Sequence, residues 1–489
     1  MKIKEISDFI VSFEKTVPVN EIKYRKIHLW PIIRGYIYGS LLFDDQNQKP
    51  STPEKKDGTW LSRFKSKIFH QKIAIKEVHK QNFEDKTDFL FWSRNIDHSD
   101  KVDGLPYSRH TDPYFELFNE QFKCRKLEIG PKIKRKVKTI FFPEWITQSP
   151  SDNKVSLDYK SKKILKEINK VLFTLSNKKI SYSYITDKIN KVLHTSRIFK
   201  EILKKISPNA VFIVCYHDEN TFAVILACNE LNIPTIEIQH GQQGIYNSLY
   251  CRWTNIPTEG YSLLPKFSWM WGEQAKLNLL SKRSGICKFP LPFVGGNQWI
   301  AKFKNESRNN TILKNQNYII KNRVITIATQ PKNNVEAIIP EFVFNTIREN
   351  SNDFTWLIRI HPNQLYQTQE IINVFERKVG KSKVFIGDII EYSLYDLLEI
   401  TTFLISEWSS VIYESQVFGN IPIVVSEIGE SLFSQKIKDG YFLCAKNKLD
   451  LTKIIHSDIT ITKDPKPFIS YDDQTTQNAI NQVTSLAEL

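Results

Sequence analysis

Four apolar runs in the chain stop abruptly on side chains that can do chemistry. NAVFIVCYH (209–217) runs into His217-Asp218-Glu219-Asn220, and IPTIEIQHG (233–241) into Gln239-His240-Gly241. DFTWLIRIHP (353–362) closes on His361-Pro362, and TFLISE (402–407) on Glu407, with Ser409 and Ser410 just beyond. An imidazole or carboxylate within hydrogen-bond reach of a hydroxyl can take its proton and make the oxygen a nucleophile. His240 is one candidate for that base, and Asp218 or Glu219 is the competitor. If an acid is the base, His240 steadies a phosphate or orients the acceptor instead. Gly241 is expected to let the backbone turn sharply after its strand and so present His240. His217, Gln239 and Gly241 share this edge and are candidates for holding an acceptor.

The later two runs suit an anion. Pro362 cannot continue a strand ladder, so the strand stops and His361 is held at a rigid edge. Arg359, two residues earlier, points to the same side and brings a fixed positive charge, or else a partner for a core acid. Ser409 and Ser410 open a helix, where serine is an ordinary cap. The same position offers free N–H groups and the positive end of the helix dipole to a phosphate. Glu414, further along that helix, can reach a ribose or sugar hydroxyl; its plain alternative is a solvated helix face.

Placing those ends requires strands of one orientation. NAVFIVCYH, the helical ENTFAVILACNELN (219–232) and IPTIEIQHG form a βαβ unit, and FSWMWGE (267–273) and PFVGGN (292–297) continue the series. TDFLFWSR (87–94) and KTIFFPEW (138–145) read as further strands. Residues 157–206 are Lys-rich, with helical spacing at Ile164, Ile168, Val171 and Leu172. After the polar stretch 301–321 the alternation restarts with RVITIATQP (323–331), DFTWLIRIHP, KVFIGD (383–388), TFLISE and IPIVVSE (421–427), five strands separated by helices. Alternating β and α elements imply doubly wound parallel sheets, in which ligands bind at the carboxyl ends of strands. The expected architecture is α/β, two Rossmann-like lobes with a cleft between them and a helical N-terminal extension. Its divisions are 1–85 (extension), 86–300 (acceptor lobe), 301–321 (linker), 322–465 (second lobe) and 466–489 (a tail or helix able to return to the first lobe).

Bulk composition is that of an ordinary globular chain, 41% hydrophobic and 25% charged over 489 residues. The net charge of +15 suits a negatively charged partner, though a lysine-rich composition alone would produce it. Six cysteines lack any framework spacing, which fits a reducing compartment; Cys215 and Cys228 read as core thiols. No signal-peptide pattern or apolar run of spanning length is visible, so a cytoplasmic location is expected. The aromatic segment 27–43 either lies in a membrane interface, through Trp30 and Tyr36, or forms a core helix. No GxGxxG follows a strand, and no P-loop, HExxH, DxD or clustered Cys/His spacing is present. No metal or cofactor is expected, because helix dipoles and basic side chains can neutralise a diphosphate leaving group.

RIHP, followed by SEWSSVIYES and then GNIPIVV, resembles the C-terminal lobe of GT-B glycosyltransferases. The likeness is to the bacterial sialyltransferase, capsule-polymerase and teichoic-acid-polymerase groups, which pair an HP motif with a serine pair, and it covers roughly residues 205–445. It implies a nucleotide-sugar donor held by His361, Pro362, Ser409 and Ser410, beside which the reading of the strand ends and helix places Arg359, Glu407 and Glu414. IEIQHG is similar to a segment at a strand end in the first lobe of capsule and teichoic-acid enzymes. The acid-acid-Gly motif of the sialyltransferases is absent, since Asp218-Glu219-Asn220 lacks its glycine. The activity so implied is sugar transfer to a glycan or lipid-linked glycan in building capsule, lipopolysaccharide or O-antigen; the basic surface would hold such an enzyme peripherally at the anionic inner membrane or on an anionic glycan. A nucleotide-sugar 2-epimerase or polyol-phosphate transferase of the same fold is the first alternative. A basic nucleic-acid-binding module is the second, although no nucleic-acid-reading motif is present.

Overall fold

The computed structural model describes residues 3–42, 75, 76, 78, 86–94, 98, 100–147, 155–241, 243–281, 283, 290–305, 323–381, 383–387, 389–390, 392–460 and 463–487. Two large sheets organise it, one of seven strands and one of five, every pairing in them parallel. In spatial order the first runs Leu291–Val294, Phe267–Met270, Thr235–Ile238, Ala210–Val214, Phe89–Arg94, Cys124–Ile129 and Thr139–Phe142. The second runs Thr355–Arg359, Val324–Ala328, Phe403–Ser406, Ile421–Val424 and Leu443–Cys444. All residues of Ala210–Val214, Val324–Ala328 and Phe403–Ser406 are buried, as strands covered on both faces must be. These are two Rossmann-like lobes.

Two strand assignments change. KVFIGD gives a single bridge, Phe385 to Leu357, and the fifth strand of the second sheet is Leu443–Cys444. Cys124–Ile129 is a strand that its charges disguise. Lys126 and Glu128 are fully buried there: Lys126 pairs with Asp112 and with Glu128 (3.0 Å), and His98 also meets Glu128. Of the expected linker 301–321, the first five residues end the helix Gln298–Asn305 and the rest lies outside the described residues.

The described part of the N-terminal segment packs into the first lobe. The helix Trp30–Leu42 buries Trp30, Ile33, Arg34 and Ile37, so the aromatic stretch is a core helix and not a membrane face. Its buried charge is met by Glu14 on the helix Ile3–Thr16. That carboxylate accepts from Trp30 Nε1 (2.7 Å), Arg34 Nε (2.7 Å), Thr254 N (2.9 Å) and Thr254 Oγ1 (2.6 Å). Arg34 also donates to the carbonyls of Cys251 and Arg252 and lies over the Trp253 ring. Among the described residues no helix is long and apolar enough to cross a membrane.

A strap joins the chain end to this lobe. Residues 467–470 exchange backbone bonds with Trp271, Gln274 and Asn297, and the helix Asp473–Leu486 buries Ala479, Ile480 and Val483 in the shared core. Gly272 permits the approach, because a Cβ there would stand 2.6 Å from the Phe468 backbone. That core also takes side chains from both sheets, with Trp299 stacked on Tyr395 and Phe303 against Phe418.

Truncating one partner of a desolvated ion pair strands the other, at a cost of about 3–5 kcal/mol. Glu14→Ala is therefore expected to lower stability by about that much in denaturant titrations followed by tryptophan fluorescence. The double variant Glu14→Met/Arg34→Met should recover a large part of the loss; a single variant as stable as wild type would contradict this role.

Candidate active site

A cavity of about 300 Å³ opens between the carboxyl ends of the two sheets. The first lobe contributes Arg94, Asp100, Arg109, His110 and His240 to its wall; the second contributes Thr329, Arg359, His361, Pro362, Asn363, Ser409 and Ser410. Topology explains the meeting. Arg94 and Arg359 are the last residues of their strands, and His240 and His361 lie two residues beyond theirs. Register aligns Arg359 with Ala328 and Ala328 with Ser406, so Arg359, Thr329 and the 406–410 turn leave the second sheet at one level.

Several wall residues of the second lobe are held by hydrogen bonds. Arg359 donates to the carbonyls of Ile390 (3.2 Å) and Tyr392 (3.0 Å). The backbone N–H of His361 donates to Thr329 Oγ1 (3.1 Å), and the N–H of Asn363 donates to His361 Nδ1 (3.2 Å). That second bond leaves the ring proton on Nε2, making it a donor. Pro362 ends the strand and starts the short 3₁₀ turn Pro362–Gln367. The N–H of Ser409 donates to Ser406 Oγ (3.2 Å), and Ser409 Oγ accepts from Val411 N (3.3 Å). Ser410 is the cap residue of the helix Val411–Val417 without a side-chain cap bond.

Charge in the cavity is unbalanced. Three guanidinium groups face one carboxylate, Asp100, which lies 3.8 Å from Arg109 Nε. The imidazoles are kept neutral. Burial, then Arg109 and Arg359, lower His361 to about 4. Burial, then His217 and Arg94, lower His240 to about 3. His110 is pushed well below its ordinary value by burial, then Arg109, His240 and Arg94. Guanidinium and N–H donors beside neutral imidazoles suit a multiply charged anion, such as a diphosphate, next to a group that gives up a proton.

Other expected site residues lie elsewhere. Asp218 caps the helix Glu219–Glu230, accepting from Asn220 N (3.0 Å) and Thr221 N (3.3 Å). Glu219 is paired with Lys188 and Lys191 of the neighbouring helix. Neither reaches the cavity wall. Glu407 is buried and paired with Lys332 at 2.6 Å. Glu414 is buried as well, not on a solvated face; it accepts from Tyr395 Oη (2.5 Å) and borders a separate space of about 10 Å³ beside Arg109 and His110. Gln239 is used structurally, accepting from Trp271 N (2.8 Å) and donating to Gly241 O (2.9 Å). His217 stands behind His240, with ring centroids 6.5 Å apart. Gly241 does not have left-handed backbone, and a Cβ there would lie 3.8 Å from Ser410 Oγ, an ordinary contact, so neither the turn nor the space demands glycine.

Sequence reasoning missed Arg94, Asp100, Arg109 and His110. Arg94 carries the signal used for the others, a polar residue closing an apolar strand. Asp100, Arg109 and His110 come from the hairpin 100–107 and the loop after it, and nothing in their local pattern marks them.

No family model and no curated protein matches the chain. Solved structures do. Staphylococcus aureus MnaA with UDP aligns over 82% of this chain and 97% of its own at 13% identity, TM-score 0.51. A Listeria monocytogenes protein provisionally assigned as a UDP-N-acetylglucosamine 2-epimerase covers 83% and 97% at 14% identity, TM-score 0.51. The wall teichoic acid polymerase TagF covers 88% and 99% at 11% identity, TM-score 0.48. The fold is GT-B-like. At these identities the first two likenesses speak to fold alone, and the HP and serine-pair resemblance rests on its own residues.

A histidine whose folded value lies below 6.5 stabilises the fold above that pH and loses this contribution as pH falls through the folded value. The melting temperature should therefore drop as pH is lowered from neutrality toward 4. His361→Asn should shrink that drop without removing it, since His110, His217 and His240 act in the same direction. Parallel pH–melting curves for variant and wild type would refute the His361 contribution.

Proposed function

We propose that the cavity binds a nucleoside-diphosphate sugar and that the chain transfers the sugar to a hydroxyl of a glycan or lipid-linked glycan, in making a bacterial surface polysaccharide. One observation carries the reading: the strand ends of both lobes converge on one cavity with three guanidinium groups, the Nε2–H of His361 and the serine pair. The diphosphate lies among Arg94, Arg109 and Arg359, and its developing charge as leaving group is met by donors already in place. In the transfer, the acceptor oxygen forms a bond to the anomeric carbon, the bond from that carbon to the diphosphate oxygen breaks, and the hydroxyl proton passes to an imidazole. With Asp218 and Glu219 engaged elsewhere, that imidazole belongs to the pair His240 and His110, whose ring centroids are 6.0 Å apart. His361 and the serines hold phosphate.

A 2-epimerase acting on a nucleotide sugar is the second reading, favoured by the Listeria neighbour. It needs no acceptor, so incubating single nucleotide sugars with the enzyme alone separates the two.

Thermal-shift screening against nucleoside mono- and diphosphates should find one nucleotide that stabilises; saturation at a hundredfold over Kd adds about 2.7 kcal/mol. Arg94→Met should weaken that nucleotide about ten- to a hundredfold, the loss of a charge-assisted hydrogen bond. His361→Ala should abolish transfer and leave the melting curve cooperative. Full activity of His361→Ala, or no nucleotide that stabilises, would overturn the proposal.

A further inference from the structure

At the cavity wall is a cluster of which the reaction above uses only His240. Strands Ala210–Val214 and Thr235–Ile238 are neighbours, with Val214 in register with Ile238, so Cys215, His217 and His240 leave the sheet side by side. One ligand atom from each, the thiol sulfur and a nitrogen of each imidazole, all lie within 4.8 Å of one another. Cys215 Sγ is 3.2 Å from Nε2 of His217. His240 Nδ1 is buried and has no hydrogen-bond partner. Cys215 itself takes left-handed backbone, φ 57°, at the end of its strand. The backbone N–H of Tyr216, between two of these residues, donates to the buried carboxylate of Glu237 at 3.0 Å.

We propose that Cys215, His217 and His240 form a binding site for a divalent transition-metal ion, zinc above all. Sulfur and imidazole ligands without a carboxylate select zinc over magnesium, calcium or manganese. Three protein ligands leave a fourth position for water or a substrate oxygen, the pattern of an open site and not of a closed structural one. Because His240 also lines the cavity, the ion would border the space where the anion binds. A metal on one nitrogen of His240 makes the other a hydrogen-bond donor, which gives the proton-accepting role in the imidazole pair to His110. The spacing Cys-x-His followed by His twenty-three residues later is not a recognised metal pattern; only the pairing of the two strands assembles it.

The site shares His240 with the reaction assigned above, but its test reads metal binding alone and is decided without that reaction. Full-length protein purified without chelator is analysed for zinc by mass spectrometry, then stripped and titrated with Co²⁺. About one equivalent of metal per chain is expected, with Co²⁺ giving a thiolate-to-cobalt charge-transfer band. Cys215→Ser should lose that band, and His217→Gln should weaken Co²⁺ binding roughly tenfold or more, both with unchanged circular dichroism. Wild-type protein that binds no Co²⁺ through a thiolate overturns the site. So does a band that survives in Cys215→Ser, or His217→Gln binding as tightly as wild type. Should Cys215→Ser fail to fold, His217→Gln and the wild-type titration still decide.

Discussion

A parallel sheet sends the carboxyl ends of all its strands to one edge, and this chain places two such edges opposite each other. The constraint comes from the connections. Each strand is reached by a crossover that returns to the same starting side, so whatever residue ends a strand is delivered to the same rim. Arg94, His240, Arg359, His361, Ser409 and Ser410 are spread over more than three hundred residues and still border one cavity. Remove the parallel pairing and no local feature would bring them together.

Once assembled, the rim is governed by desolvated charge. Three guanidinium groups against one carboxylate make a strongly positive space, and the same charges, with burial, hold the nearby imidazoles neutral. The two effects are complementary. The arginines would attract an anion, while the imidazoles keep lone pairs that protonation would remove. Flexible side chains would lose much of this advantage, and here the backbone holds them. Arg359 is tied to two carbonyls, and His361 is fixed at both its N–H and its Nδ1.

Support for that rim comes from outside the sheets. The Glu14–Arg34 pair anchors the N-terminal helices to the 251–254 segment, which follows the His240 turn by only a dozen residues. The strap 467–470 crosses the ends of the strands Phe267–Met270 and Leu291–Val294, and the final helix packs on the first lobe. Aromatic contacts among Trp299, Phe303, Tyr395 and Phe418 join the lobes beneath the cavity.

The sequence by itself determined the rhythm of the fold, because fully buried strands must be continuous apolar runs and the covering helices must follow their own period. It also marked His240, His361, Ser409 and Ser410, since a polar residue closing a buried strand lies at the ligand edge of any parallel sheet. Local pattern could not show which charges are paired out of sight. Lys126 and Glu128 disguised the strand next to one edge of the first sheet, Asp218 turned out to be a helix cap, Glu219 a partner of lysines, and Glu407 and Glu414 were drawn into buried contacts. Arg109 and His110 came from a loop with no period to read. The meeting of Cys215 and His217 with His240 depended on which strands are neighbours. Burial and alternation are written within ten residues of a chain, but the partner of a side chain is chosen by contacts across hundreds, and only the tertiary structure holds those.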